Sequence, residues 1–260
     1  MKKKIIITVI VLLTFIALRY IKYFFAFFVF GKEAWNVMDL DIKVSILNYT
    51  QIIIVLFVTT LLFKKLPFEI LGLKKDIVKG FLYGSLLTIP MFIGYGYFFG
   101  FNSEFSFRIL HRDLILAGFF EEFMFRGFVF GILYYYCGWG FISAVLIPSV
   151  FFGIGHLYQA GNFSESLGIF SFTLLASAGF AWFYLAWDSL WMVLFLHGFM
   201  DLAWTVTNTD TNVLGSAYTN IFRFTTLGLA IYFSVKQAKA ANRYSLKGKL
   251  WINRNTNSSF

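Results

Sequence analysis

Residues 118–128 read GFFEEFMFRGF, with two adjacent carboxylates, Glu121 and Glu122, and a guanidinium, Arg126, set among phenylalanines. Each charge costs roughly 2.5–3.5 kcal/mol at the centre of a membrane helix, so such residues face a partner or a cavity rather than lipid. What surrounds this stretch therefore decides what kind of protein the chain is. The 260 residues are 59% hydrophobic, 22% aromatic and only 13% charged, and the mean hydropathy is +0.73. A soluble domain averages roughly half apolar and a quarter charged. The composition therefore predicts an all-α, polytopic membrane protein.

The net charge of +9 does not point to nucleic acid, because the basic residues gather in short connections and tails instead of along a helix face. Cys137 is the single cysteine, which excludes an internal disulfide; with no Cys/His ligand cluster, a structural zinc site is excluded too. It reads as packing. The N-terminus MKKKIIITVIVLLTFIAL has the basic start and apolar run of a secretory signal. No small-x-small cleavage site follows, and the apolar run continues, so a retained first membrane helix is expected.

Apolar runs long enough to cross fall at about 5–30, 43–63, 80–100, 112–136, 139–158, 167–187, 189–208 and 215–235, since a crossing needs roughly 20 residues. About eight helices in one membrane domain, 1–260, are expected, with 112–208 as the core. With the N-terminus inside, fourteen Lys and Arg fall on inner segments, Lys247 of the tail among them, and four on outer loops. That bias predicts a cell-membrane protein with both termini cytoplasmic. The stretch LPFEILGLKKDIVKG, 66–80, reads either as a segment lying on the inner lipid surface or as an ordinary loop.

Inside the expected helices sit Glu121, Glu122, Arg126, His156, His197 and Asp201. Were four of them charged and unpaired, the cost would be on the order of 10 kcal/mol, as large as the stability of a small domain. Glu122 and Arg126, four residues apart, share a helix face and can form a bidentate pair. Glu121 is rotated about 140° from Arg126 in α-helical geometry and is expected to face something else. His197 and Asp201 are also four apart, and Thr205 and Asn208 continue that stripe. Gly118, Gly127, Gly131, Gly153, Gly155 and Gly198 thread these helices, Gly127 and Gly131 at small-x-x-x-small spacing. Zinc ligation by Glu121, His156 and His197 is chemically conceivable, although no HExxH helix is present. The triplet HRD at 111–113 matches a kinase catalytic loop only by chance, for no phosphate loop or DFG accompanies it.

Three motifs, EEFMFR (121–126), FGIGH (152–156) and HGFMD (197–201), resemble in order and spacing those of the CAAX prenyl endopeptidase and bacteriocin-processing family of intramembrane proteases. The resemblance covers about 118–202. It implies an endopeptidase acting on a peptide or protein at the bilayer, in which Glu121, with His156 beside it, activates water, while His197 and Asp201 hold the tetrahedral intermediate or order the site. The family is often labelled metalloprotease, and a metal-free glutamate mechanism is also proposed for it, so zinc stays open. Asp201 stands where prenyl-protein proteases usually carry Asn, which favours the bacterial branch of the family. Two other readings remain: a protease-like immunity or regulatory scaffold without cleavage, and a proton-coupled transporter. Counting 1.5 Å per residue puts Glu121 about 13 Å from the outer end of its helix, so a site in the outer half is expected.

Overall fold

Capping groups and turn residues divide the chain where its apolar runs end. The computed structural model describes residues 2–102, 106–209, 212–243, 246 and 249–254; Lys247 and Phe260 lie outside them. Helix α1 is Lys2–Arg19, α2 is Leu40–Phe63 and α3 is Ile77–Phe99. The helical run 107–137 is α4. Then come α5, Phe141–His156, α6, Phe163–Trp187, α7, Leu190–Thr205, and α8, Ala217–Ala240. Among the described residues there is no strand, only isolated bridges at Phe101–Thr207 and Trp139–Ile252.

The ends follow capping chemistry. Asp39 accepts from the amides of Asp41 at 2.9 Å and Ile42 at 3.3 Å to start α2, and it also takes Arg108 at 3.0 Å. These donors, the Ile42 amide first, hold the Asp39 carboxyl below its ordinary range. Asn162 starts α6 in a reciprocal cap with Glu165, each bond 2.9 Å. Lys64 and Asp188 end α2 and α6 in the left-handed conformation, both at φ 52°.

The chain is all-helical. Among the described residues, four helices are long and apolar enough to cross a membrane, and a fifth results if Lys2–Arg19 and Ile21–Val29, bent by 50°, count as one crossing. The other stretches fall short of the expected eight for local reasons. Helix α4 carries Arg112, Asp113, Glu121, Glu122 and Arg126, α7 has only 16 residues, and α8 holds Arg223, Lys236 and Lys239. The expected first helix bends at Tyr20, next to Arg19, whose guanidinium sits over the Phe125 ring at 5.7 Å.

Helix α4 is the centre of the bundle. Every residue from Glu122 to Gly131 is buried, and α1, α2, α5, α6 and α7 all touch this segment. A helix enclosed on every side is apolar on every side, which is why the charges stand in a phenylalanine-rich run. Much of α4 is wound with i→i+5 hydrogen bonds, over His111–Phe119, Glu122–Gly131 and Leu133–Cys137, a wider coil than the α-helix assumed above and one frequent at functional sites.

Glycines set the closest approaches. A Cβ built on Gly80 would lie 2.7 Å from the carbonyl carbon of Trp191, and one on Gly84 2.6 Å from Phe195 Cβ, which seats α3 on α7. Gly118 and Gly198 face each other across α4 and α7, where a Cβ on Gly118 would lie 2.5 Å from Gly198 Cα. Lipid tails are as apolar as the helices, so close van der Waals contact of this kind carries association. Gly118→Ala is expected to push α4 from α7 and destabilise by about 1–3 kcal/mol. A thermal midpoint in detergent equal to wild type would show that the contact is dispensable.

The two ends of the bundle differ. At one, Asp188 takes Lys75 at 3.4 Å and Arg243 at 3.2 Å, joining the α2–α3 loop, the α6–α7 turn and the segment after α8. There the 66–80 segment turns Ile70, Leu71 and Leu73 into the core, and the amide of Leu190 donates to Gly72 at 2.9 Å. Carbonyls of Lys249, Leu250 and Trp251 accept from the first amides of α5 at 2.8–2.9 Å. The other end carries Arg108 with Asp39 and Asp41, and α5 and α7 terminate there.

Candidate active site

Gly118 and Gly198 lie within four residues of the polar groups on their own helices, so the contact between them brings those groups together. Glu122 Oε1 sits 2.9 Å from Arg126 Nη1 and 2.6 Å from His197 Nδ1. The pair with Arg126 is thus formed, but through one oxygen that is shared with His197 and not as the bidentate fork expected. Arg126 Nε and Nη1 and Glu122 Oε2 make no hydrogen bond. The guanidinium instead lies over Phe152 at 4.8 Å and Phe180 at 5.6 Å, and the same Phe180 ring is 5.1 Å from that of His197. Cation–π attraction strengthens where water is absent, and here the Arg126 and Glu122 side chains are 2% and 0% exposed.

A carboxylate can only accept, so His197 Nδ1 carries the hydrogen toward Glu122. Its Nε2 faces Asp201 Oδ2 at 3.4 Å and Glu121 Oε2 at 4.0 Å. Glu121, its side chain 27% exposed, opens instead into a cavity of about 400 Å³ that His156, His197, Asp201 and Thr205 also line. His156 reaches this cavity from the end of α5. Its Nδ1 lies 2.8 Å from the Phe152 carbonyl; a carbonyl cannot donate, so Nδ1 holds the hydrogen and Nε2 of the neutral ring remains an acceptor. Glu121, Glu122, Arg126, His197 and Asp201 thus form one contact network, and His156 shares their cavity. Asn208 leaves the expected stripe and donates to the Phe99 carbonyl at 3.5 Å.

Among the described residues no three His, Cys, Asp or Glu side chains are arranged to hold a metal ion. The bonds at Nδ1 of His197 and His156 leave Nε2 as the ligating atom of each ring, but the trio Glu121, His156 and His197 is not gathered into a metal-holding group as placed.

Two wall residues escaped the sequence reading. Arg223 of α8 is 4% exposed, donates to the Val213 carbonyl at 2.6 Å, and stacks on Trp204 at 4.5 Å and Phe172 at 5.0 Å. The rule that singled out Arg126, a cation inside an apolar helix, applies to it equally. Asp113, set aside with the HRD triplet, lines the cavity as well.

The chain is all-helical, with several helices apolar enough to cross a membrane, and carboxylates and histidines converge on one cavity. Residues 85–203 match the family described as type II CAAX prenyl endopeptidase Rce1-like. The three motifs fall inside the matched residues. Comparison with curated proteins and with solved structures finds no match. The family match points to a CAAX-type protease acting at the membrane.

Proposed function

We propose that the chain is an intramembrane endopeptidase that cleaves a membrane-associated or exported peptide with water activated by Glu121. The observation that carries this reading is the contrast between neighbours: Glu122 is enclosed by Arg126 and His197, whereas Glu121 opens to the cavity 4.0 Å from His197 Nε2. Glu121 removes a proton from water, the resulting hydroxide attacks the scissile carbonyl carbon, and the proton passes to the leaving amine as the C–N bond breaks. His156 Nε2, an acceptor, orients the same water. With both ring nitrogens protonated, His197 donates from Nδ1 to Glu122 and from Nε2, beside Asp201 Oδ2 at 3.4 Å, to the oxyanion; donors placed in low dielectric stabilise such charge strongly. Met91 of α3 and Arg223 and Leu227 of α8 also form the cavity wall. Incubating the purified protein in detergent with a peptide library, beside its Glu121→Gln variant, tests the reading. Cleavage by wild type alone is expected, and equal cleavage by both rejects it.

We further propose that both termini are cytoplasmic and that the cavity opens in the outer half. The basic bias supports the first. The second is supported by His156 and Asp201 lying near the ends of α5 and α7, away from Asp188, Lys75 and Arg243. A reporter fused after Phe260 is expected to be active only on the cytoplasmic side; activity on the outer face alone reverses the orientation.

A further inference from the structure

Asp113 is a buried carboxylate that the proposed chemistry does not use. The residue is 5% exposed and stands on the cavity wall with Glu121 and Asp201. Arg112 Nε donates to its Oδ1 at 2.9 Å, from a side chain that is 45% exposed. Oδ2 is buried and has no hydrogen-bond partner. A buried carboxylate oxygen left unpaired is costly, and a donor that reaches it recovers that cost.

We propose that Asp113 is a specificity residue of the cavity, whose Oδ2 receives the cationic end of a lysine or arginine side chain of the peptide; this rests on the endopeptidase reading above. Charge on the walls favours a cation over a neutral donor. Glu121 adds negative charge beside Asp113. The two guanidiniums on the wall are engaged elsewhere, Arg126 with Glu122 and Arg223 with the Val213 carbonyl and two rings. Met91, Met200 and Leu227 line the same space and suit the alkyl stem of a long basic side chain, which buries its methylenes while its head seeks a polar partner.

Two measurements on the full chain in detergent test this. Mass-spectrometric profiling of a cleaved peptide library is expected to show Lys or Arg enriched at one fixed position from the scissile bond. Asp113→Asn is expected to cut the preference for lysine over its uncharged isostere norleucine by about tenfold to a hundredfold, the range for losing one charge-assisted hydrogen bond, and Asp113→Glu to retain it. The second measurement needs no cleavage: agmatine, a small alkyl guanidinium, is expected to raise the melting temperature of wild type and of Glu121→Gln but not of Asp113→Asn. A library left uncut by wild type rejects the endopeptidase reading while the agmatine titration still decides the role of Asp113. A profile without basic preference, no agmatine effect on wild type, or an equal effect on Asp113→Asn overturns the proposal.

Discussion

Glu121→Gln is expected to yield a folded, membrane-inserted protein whose peptide cleavage falls by about 10²–10⁴-fold, the usual worth of a general base. The substitution keeps the shape of the side chain and removes the basic oxygen. Its structural cost is small, because Glu121 makes its one close ion-pair contact with His197 Nε2 at 4.0 Å among the described residues and the side chain already meets the cavity. His197 keeps its bond to Glu122 at 2.6 Å, and the guanidinium of Arg126 keeps both aromatic faces. The measurements are the thermal midpoint in detergent and the rate of peptide cleavage. A Glu121→Gln protein that melts well below wild type, yet cleaves at the wild-type rate, assigns the residue to structure and leaves the base elsewhere.

The helical segments were legible because each rests on a long apolar run bounded by caps and turns. The helix at 163–187 begins at Asn162, and a left-handed Asp188 ends it. The break at Tyr20 was not legible, since no proline or glycine marks it. The i→i+5 winding of α4 was hidden for a similar reason. It is a property of a helix held on all sides by neighbours, while side-chain spacing alone suggests α-geometry.

The polar cluster was legible for an energetic reason. A charge within an apolar helix needs a compensating partner wherever the chain folds, so Glu121, Glu122, Arg126, His197 and Asp201 announced themselves. The sharing of Glu122 between Arg126 and His197 could not be read, since it depends on Gly118 meeting Gly198 across two helices. Phe180 escaped as well. It belongs to no motif and looks like any other phenylalanine, yet it lies against both Arg126 and His197.

That sharing decides what to expect at Glu122. Glu122→Gln retains an oxygen that accepts from His197 Nδ1 but removes the charge opposite Arg126, whose side chain is 2% exposed. Breaking one half of a buried pair costs roughly 3–5 kcal/mol in soluble proteins, so the thermal midpoint is expected to drop on the order of 10 °C. Cleavage should fall less than for Glu121→Gln at temperatures where the protein is folded, because His197 is still oriented. Adding Arg126→Met removes the lone charge, and part of the lost stability should return with no further gain in cleavage. Glu122→Ala removes both partners' contact at once, so His197 loses its anchor and cleavage is expected to fall far below that of Glu122→Gln. Melting curves and cleavage rates for the four proteins separate the two contacts. If Glu122→Gln melts with wild type, the charge of Arg126 is balanced by the Phe152 and Phe180 rings and not by Glu122. If Glu122→Ala cleaves as well as Glu122→Gln, the hydrogen bond to Nδ1 is not what aims His197 into the cavity.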